Sequence, residues 1–207
     1  MAHEPAVPEP FHSLFAPLEE LRYTGVGVRF RGCFGCGPDH DIGLRVRNFR
    51  SKGEVLSPIV IPRRFEGPPA GAHGGIVAGY LDEVLAGAAL AHTGRPHVTG
   101  ELSVRYLRLT PLERPILGRG RTVKESTKYV DVEGTLEDLE TGELFARATA
   151  ASSRCNPRRR RPPSPQPGEK GPAARRRPKA RARRTLRTLS ARSRAPTKQM
   201  GPYRQAA

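Results

Sequence analysis

The pattern of apolar and polar positions divides the chain into one long helix and two groups of strands. Apolar residues recur at helical spacing over residues 73–92 and cover a wide surface of that helix. Strand patterns lie on both sides of the helix, at residues 44–49, 55–61, 98–109, 116–125, 129–137 and 143–151. This order predicts an α+β fold with an antiparallel sheet around the helix, rather than alternating βαβ units.

The composition adds a boundary at each end of this region. Residues 11–23 have helix-like apolar spacing that ends near Gly25, so residues 1–25 are predicted to form an N-terminal segment with a short helix. Residues 154–207 hold 18 of the 36 basic residues, nine prolines and a single acid. Such a segment cannot bury enough apolar surface to offset chain entropy, which predicts a disordered tail. The folded domain is therefore expected at residues 26–153.

The net charge of +16 comes from the tail, so it predicts nucleic-acid binding only there. That function is less favoured, because Tyr203 is the tail's one aromatic residue. Three cysteines do not form a disulfide framework and favour a reducing, cytoplasmic location. No leader-like pattern is seen at the N-terminus. The apolar stretch 76–91 is interrupted by Asp82 and Glu83 and is short for a bilayer, so no membrane partner is expected.

The start of the long helix carries the candidate chemistry. His73, Gly74 and Gly75 open it, and Asp82 follows nine residues after the histidine. Each glycine there is unfavourable by up to ~1 kcal/mol relative to alanine. Bare N–H groups at a positive helix end can hold a negatively charged oxygen. An oxyanion donor and an acid on one element suggest acyl-transfer chemistry.

The spacing of these groups has a consequence for assembly. Eight residues separate Gly74 from Asp82, which is about 12 Å along a helix at 1.5 Å per residue. One helix cannot bring both to a single carbonyl carbon, so a catalytic motif predicts two antiparallel copies, in a homodimer or homotetramer. The small residues Gly75 and Gly79 leave a slot beside the carboxylate. That slot suits either a thioester substrate or close packing, and Asp82 itself is either a catalytic or a merely exposed acid.

Several motifs together resemble those of one family. They are Phe65-Glu66-Gly67-Pro68-Pro69, His73-Gly74-Gly75, Leu81-Asp82-Glu83, the run from Thr99 to Arg108, and Cys33-Phe34-Gly35-Cys36-Gly37 ahead of Gly43-Leu44. The chain resembles PaaI-like hotdog-fold acyl-CoA thioesterases over roughly residues 30–152, and most of all the thioesterase superfamily member 4 type. The resemblance implies an antiparallel β-sheet wrapped around one long central helix, and hydrolysis of acyl-CoA thioesters to free acid and CoA.

The resemblance also implies roles for individual residues. Asp82 matches the general base, or a nucleophile, and the Gly74 N–H matches the oxyanion donor. His73 matches the histidine that orients this turn, and Thr99 matches a hydroxyl that positions the water or the carboxylate. One branch of the family has an asparagine where Gly67 stands here, which puts side-chain polarisation of the carbonyl in doubt. No cofactor is implied, because CoA is part of the substrate.

Other residues keep two interpretations. Arg105 and Arg108 are candidates for contacting CoA phosphates, since guanidinium pairs well with phosphate oxygens. A solvated strand face explains them equally simply. Cys33 and Cys36 invite a zinc site with His40 or a redox pair, but no second cysteine pair is present, so a plain turn without metal is expected. A non-catalytic acyl-CoA-binding protein remains the alternative to an enzyme.

Overall fold

The computed structural model describes residues 6–21 and 30–154 of the chain. Within these residues, seven strands form one antiparallel sheet in the order β1-β2-β3-β5-β6-β7-β4. The strands are β1 Glu19–Glu20, β2 Phe49–Ser51, β3 Glu54–Val60, β4 His97–Tyr106, β5 Pro115–Glu125, β6 Tyr129–Asp138 and β7 Leu144–Arg154. Strand β4 is therefore an edge, paired on one side with β7.

Helix α2, Gly74–Thr93, crosses one face of this sheet and supplies the centre of the core. Its fully buried side chains include Leu81, Val84 and Leu85. They pack against inward residues of the long strands, among them Ile116, Val132, Leu136 and Ala148. The helix ends at Gly94, which takes the left-handed conformation (φ 67°) that favours glycine. The predicted hotdog arrangement, one long helix wrapped by an antiparallel sheet, is confirmed.

Helix α2 is also long and apolar enough to meet the length and hydropathy criteria for a membrane span. Half of that stretch is buried within the protein. The core helix of a wrapped sheet has the same composition, so packing against the strands accounts for its hydropathy.

The N-terminal helix is much shorter than the spacing of residues 11–23 predicted. Helix α1 covers only His12–Phe15 and is followed by strand β1. Pro17 explains the early end, since proline lacks an N–H and clashes with the preceding turn. The apolar spacing reflects burial instead: Phe11 and Phe15 pack beside Phe49 in a second apolar cluster. The predicted strand 44–49 is likewise mostly irregular, and β2 begins only at Phe49. The tail, residues 154–207, lies outside the described residues apart from Arg154.

The β6–β7 turn is held by a buried carboxylate. Asp138 Oδ1 accepts hydrogen bonds from the N–H groups of Glu140 and Thr141, each at 3.0 Å, and Oδ2 lies 3.2 Å from Arg114. The hydrogen bond from the Thr141 N–H is the main reason that the pKa of Asp138 lies below its ordinary value of 3.8, with burial acting in the opposite direction. Its ionised form is therefore bound more strongly by the folded state.

We expect Asp138→Asn to lower the free energy of unfolding near neutral pH. A carboxyl group with a lowered folded-state pKa stabilises above its unfolded pKa, and this contribution disappears as the pH falls through the folded pKa. Urea unfolding across pH should thus show a wild-type advantage near pH 7 that shrinks steadily below about pH 4. Asp131→Asn, the same change at an exposed position, is the control. A difference that grows on acidification would contradict this account.

Candidate active site

The N-terminal end of α2 leaves one backbone donor unused. His73 is the N-cap residue, and its Nδ1 accepts a hydrogen bond from the Gly75 N–H at 3.1 Å. The N–H groups of Ile76 and Val77 donate to the His73 carbonyl. Among the described residues, the Gly74 N–H has no hydrogen-bond acceptor. The histidine cap therefore orders this turn while leaving an N–H at the positive helix end for a ligand oxygen.

Asp82 lies two turns further along α2 and is half-buried. Its Oδ1 accepts a hydrogen bond of 2.6 Å from the Thr99 hydroxyl on β4. This bond fixes one carboxylate oxygen and leaves the other for a water molecule or substrate. The fold thus brings together Asp82 and Thr99, the two residues for which the family resemblance implied a shared role.

A β-bulge aims the Thr99 hydroxyl at the helix. Leu102 and Val104 pack against the core, so strict alternation would turn Thr99 toward the opposite face of the sheet. The register between β4 and β7 shifts between Thr99 and Glu101, which inserts one extra residue at Gly100. Because the extra residue reverses the alternation upstream of it, Thr99 faces Asp82.

The two halves of the site lie at opposite ends of strand β4. Asp82 is held by Thr99 near the start of the strand, while the Gly74 carbonyl accepts a 2.9 Å hydrogen bond from the Tyr106 hydroxyl at its end. Seven residues of extended chain separate Thr99 from Tyr106, which is roughly 20 Å. Within one chain, therefore, the Asp82 carboxylate and the free Gly74 N–H are too far apart to act on the same substrate atom.

An open groove lies against the Gly74 end. Its walls include Val77, Tyr106, Leu107 and Leu109, together with Arg108. Tyr106 and Leu109 are about half-exposed (51% and 53%). The groove thus has an apolar wall and a cation next to the free Gly74 N–H. Arg108 is paired with Glu143 at 2.6 Å.

The other predicted binding residues take different positions. Gly75 lies under the His73 ring, which a β-carbon there would approach to 3.2 Å. Gly79 packs against Leu44, whose Cδ1 would be 3.0 Å from an added β-carbon. Each glycine therefore has a close neighbour within the chain, as the close-packing interpretation expects. A role of the two glycines in substrate binding stays a prediction.

Arg105 lies on the outward face of the sheet, the side away from Thr99. It stands directly opposite Arg147 in the β4–β7 register and lines a groove that also contains Arg119 and Arg121. Arg119 and Arg121 are paired with glutamates, whereas Arg105 has no ion pair among the described residues. A phosphate contact by Arg105 stays a prediction, and it would have to be made from this outward face.

Sequence reasoning missed a second acid beside Asp82. Glu83 points to the other side of α2, where Cys33 and Cys36 lie next to its carboxylate. Burial raises the pKa of Glu83, the hydrogen bond from Cys36 opposes this shift, and the charge of Asp82 adds to it. Burial also raises the pKa of the Cys36 thiol. The only sequence signal was the Cys33-x-x-Cys36 spacing, which gave no indication that an acid 47 residues later completes the group.

The Thr99 hydroxyl offers a direct test of the Asp82 geometry. For the thioester hydrolysis that the family resemblance implies, we expect Thr99→Val to lower kcat about tenfold, in line with the loss of a hydrogen bond to a charged group. Thr99→Ser retains the hydroxyl and should stay close to wild type. Steady-state kinetics of both variants, at equal thermal stability, checks the prediction. Equal rates for the valine and serine variants would show that the hydroxyl is not used.

Comparison with known proteins shows which superfamily the chain is similar to. A family model described as the thioesterase superfamily matches residues 71–145, a range that contains Gly74, Asp82 and Thr99. RHA08564, a thioesterase superfamily protein with a crystal structure, is 28% identical to this chain in sequence, with a TM-score of 0.54. The match covers 59% of this chain and 60% of that chain. No curated protein sequence matches the chain.

Two further solved structures are similar. A phenylacetic acid degradation-related protein from Ralstonia eutropha JMP134 is 26% identical, with a TM-score of 0.48, over 53% of this chain and 85% of that chain. The protein smu.793 from Streptococcus mutans UA159, solved with acetyl CoA, is 24% identical, with a TM-score of 0.47, over 51% and 84% of the two chains. The resemblance to thioesterase superfamily proteins that the motifs indicated is confirmed, while the member 4 type stays a prediction.

Proposed function

We propose that this protein hydrolyses acyl-CoA thioesters to a free acid and CoA. The observation that carries the proposal is the arrangement along β4: a Thr99-anchored carboxylate at one end and a free, histidine-capped Gly74 N–H at the other. Similarity to the thioesterase superfamily over the range that holds both groups supports the same chemistry.

Each active site would be shared between two subunits. Strand β4 is an edge strand, and its exposed side is available to a second copy. Suppose that two β4 strands pair antiparallel about a two-fold axis at residue 103, so that the core-facing Leu102 lies opposite residue 104 of the partner. Because Gly100 is an extra residue in the strand, Thr99 of one subunit then lies opposite residue 106 of its partner. Asp82 then faces the Gly74 end of the partner's α2, which supplies the geometry that a single chain lacks.

The reaction at such a site needs only water, substrate and these residues. The thioester oxygen would accept the hydrogen bond from the Gly74 N–H, whose position at the helix end favours developing negative charge. Asp82 would take a proton from a water molecule as the water oxygen bonds to the carbonyl carbon. When the carbon–sulfur bond breaks, that proton passes to the leaving thiolate, which releases free acid and CoA. The groove with Leu107, Leu109 and Arg108 would receive the substrate.

A panel of short-chain, medium-chain, long-chain and aryl-CoA thioesters tests the proposal. Release of the CoA thiol, followed with a thiol reagent, should exceed the background rate for at least one class with the full-length protein. Equilibrium binding of the same esters should be measured in parallel. Tight binding without turnover of any ester would favour the non-catalytic acyl-CoA-binding function. If the protein neither binds nor hydrolyses any of the esters, both functions are contradicted.

A further inference from the structure

Two cysteines and a glutamate form a compact group that the proposed hydrolysis does not use. The Sγ atoms of Cys33 and Cys36 and a carboxylate oxygen of Glu83 all lie within 4.8 Å of one another. All three residues are partly buried, on the side of α2 that the segment before β2 covers. Their separations suit ligands that share a single ion, given metal–sulfur and metal–oxygen bonds of about 2.3 and 2.1 Å.

The chain builds this group through a tight turn. The Gly37 N–H donates to the Cys33 carbonyl at 2.9 Å, which brings the two thiols to one side. A β-carbon at Gly35 would lie 1.9 Å from Glu83 Oε1, so any larger residue there would require the Glu83 side chain to shift. The N–H groups of Leu44 and Val46 donate to the carbonyls of Phe34 and Gly35, which ties the turn to the following segment.

The charges of the group are incomplete. Among the described residues, Glu83 has no arginine, lysine or histidine partner, and its carboxylate lies beside the two thiols and Gly35, with Cys33 Sγ at 3.8 Å from Oε1. A buried carboxyl group is normally paired with a cation, bound to a metal or kept neutral by a raised pKa. Two thiols beside a carboxyl group that has no cation partner are also the ligand types that a metal ion accepts.

We propose that Cys33, Cys36 and Glu83 bind one Zn²⁺ ion, through two thiolates and one carboxylate oxygen. Zinc accepts this mixture of sulfur and oxygen ligands in tetrahedral geometry, and the softness of thiolates selects against Mg²⁺ and Ca²⁺. The fourth position belongs to solvent. His40 does not fill it, because its ring packs edge-on against Phe34 and its Nδ1 accepts a hydrogen bond from the Ile42 N–H. Binding releases the two thiol protons to solvent.

The bound ion would join residues 33–46 to the middle of α2. This segment already contacts the helix through Leu44 at Gly79. Just after the segment, Asn48 Nδ2 donates to the Glu83 carbonyl at 3.1 Å. A zinc ion adds a link one residue from Asp82. The ion would therefore link the two segments, and its presence is measurable without any assay of hydrolysis.

Metal analysis of the full-length protein tests the site. Protein expressed with zinc and purified under reducing conditions should carry about one Zn²⁺ per chain by mass spectrometry. After chelation, Co²⁺ should restore binding with a thiolate-to-cobalt charge-transfer band. Cys33→Ser, Cys36→Ser and Glu83→Gln should each weaken binding by more than the ~10–100-fold that loss of an outer-layer partner causes. Cys155→Ser, outside the described residues, and Glu140→Gln, at an exposed position, are the matched thiol and acid controls.

Three results would overturn the proposal: protein without stoichiometric zinc and without a cobalt–thiolate band, zinc lost equally in the Cys155→Ser control, or a Cys33–Cys36 disulfide in the reduced preparation. Should a cysteine variant fail to fold, the chelated wild-type chain decides the matter. Added Zn²⁺ should then raise its melting temperature in a concentration-dependent way, and an unchanged melting temperature would count against the site.

Discussion

Replacing Asp82 by asparagine is expected to lower kcat/KM for acyl-CoA hydrolysis by about 10²–10⁴-fold, the contribution of a positioned general base. Asparagine has nearly the same shape and still offers an oxygen to the Thr99 hydroxyl, which now donates at 2.6 Å to Asp82 Oδ1. The variant should therefore fold normally and bind acyl-CoA esters with little change. Steady-state kinetics and equilibrium binding of the same ester separate the two effects.

Asp131→Asn is the matched control for this experiment. It makes the same chemical change at an exposed position on β6, and it should retain the wild-type rate. If Asp82→Asn keeps more than a tenth of the wild-type kcat/KM at unchanged melting temperature, Asp82 is not the base and the proposed mechanism is wrong.

Replacing Gly74 by proline is expected to lower kcat by about 10²–10³-fold, the usual effect of removing an oxyanion-hole donor. Proline deletes the N–H but suits the first position of a helix. His73 already has the extended conformation (φ −60°, ψ 133°) that a residue before proline prefers. Gly74→Ala retains the N–H, and its β-carbon would meet only the Tyr106 ring at 3.6 Å, an ordinary contact. The alanine variant should therefore stay close to wild type.

These two variants also test whether the site is shared. If Gly74 of one subunit serves Asp82 of the other, a heterodimer of Gly74→Pro and Asp82→Asn subunits contains one intact site and one doubly damaged site. Purified through two different tags, it should recover about half of the wild-type activity, although each parent homodimer is nearly inactive. A heterodimer as inactive as its parents, or a protein that is active as a monomer, would rule out the shared site.

The sequence predicted the parts of this fold that depend on long periodic patterns. Helix α2 was expected at residues 73–92 and spans Gly74–Thr93, and the long strands β5, β6 and β7 follow their apolar alternation closely. Burial imposes these patterns, so they can be recognised in a single sequence. The prediction for the N-terminal helix was wrong because Leu18 and Leu21, which lie beyond Pro17, pack against the apolar clusters and so continued the helical spacing without continuing the helix.

The candidate site was predictable only in part, for geometric reasons. The distance between Gly74 and Asp82 follows from helix geometry, whereas the role of His73 at this turn was implied by the family resemblance. That Thr99 faces the helix and Arg105 faces away depends on the extra residue at Gly100, which alternation does not reveal. The group of Cys33, Cys36 and Glu83 depends on a long-range contact between a turn and a helix. Such contacts leave little local signal beyond the glycine that allows the approach.

The bulge at Gly100 separates two demands that β4 must meet at once. Downstream, Leu102 and Val104 follow the alternation that fills the core, and upstream, Thr99 follows the alternation that serves Asp82. The extra residue reverses the alternation of side chains, so that the downstream part of the strand fills the core while Thr99, upstream, contacts Asp82. A change of strand length at this point therefore alters which face carries the hydroxyl while leaving the core residues in place. The orientation of the Thr99 hydroxyl can in this way change independently of the core.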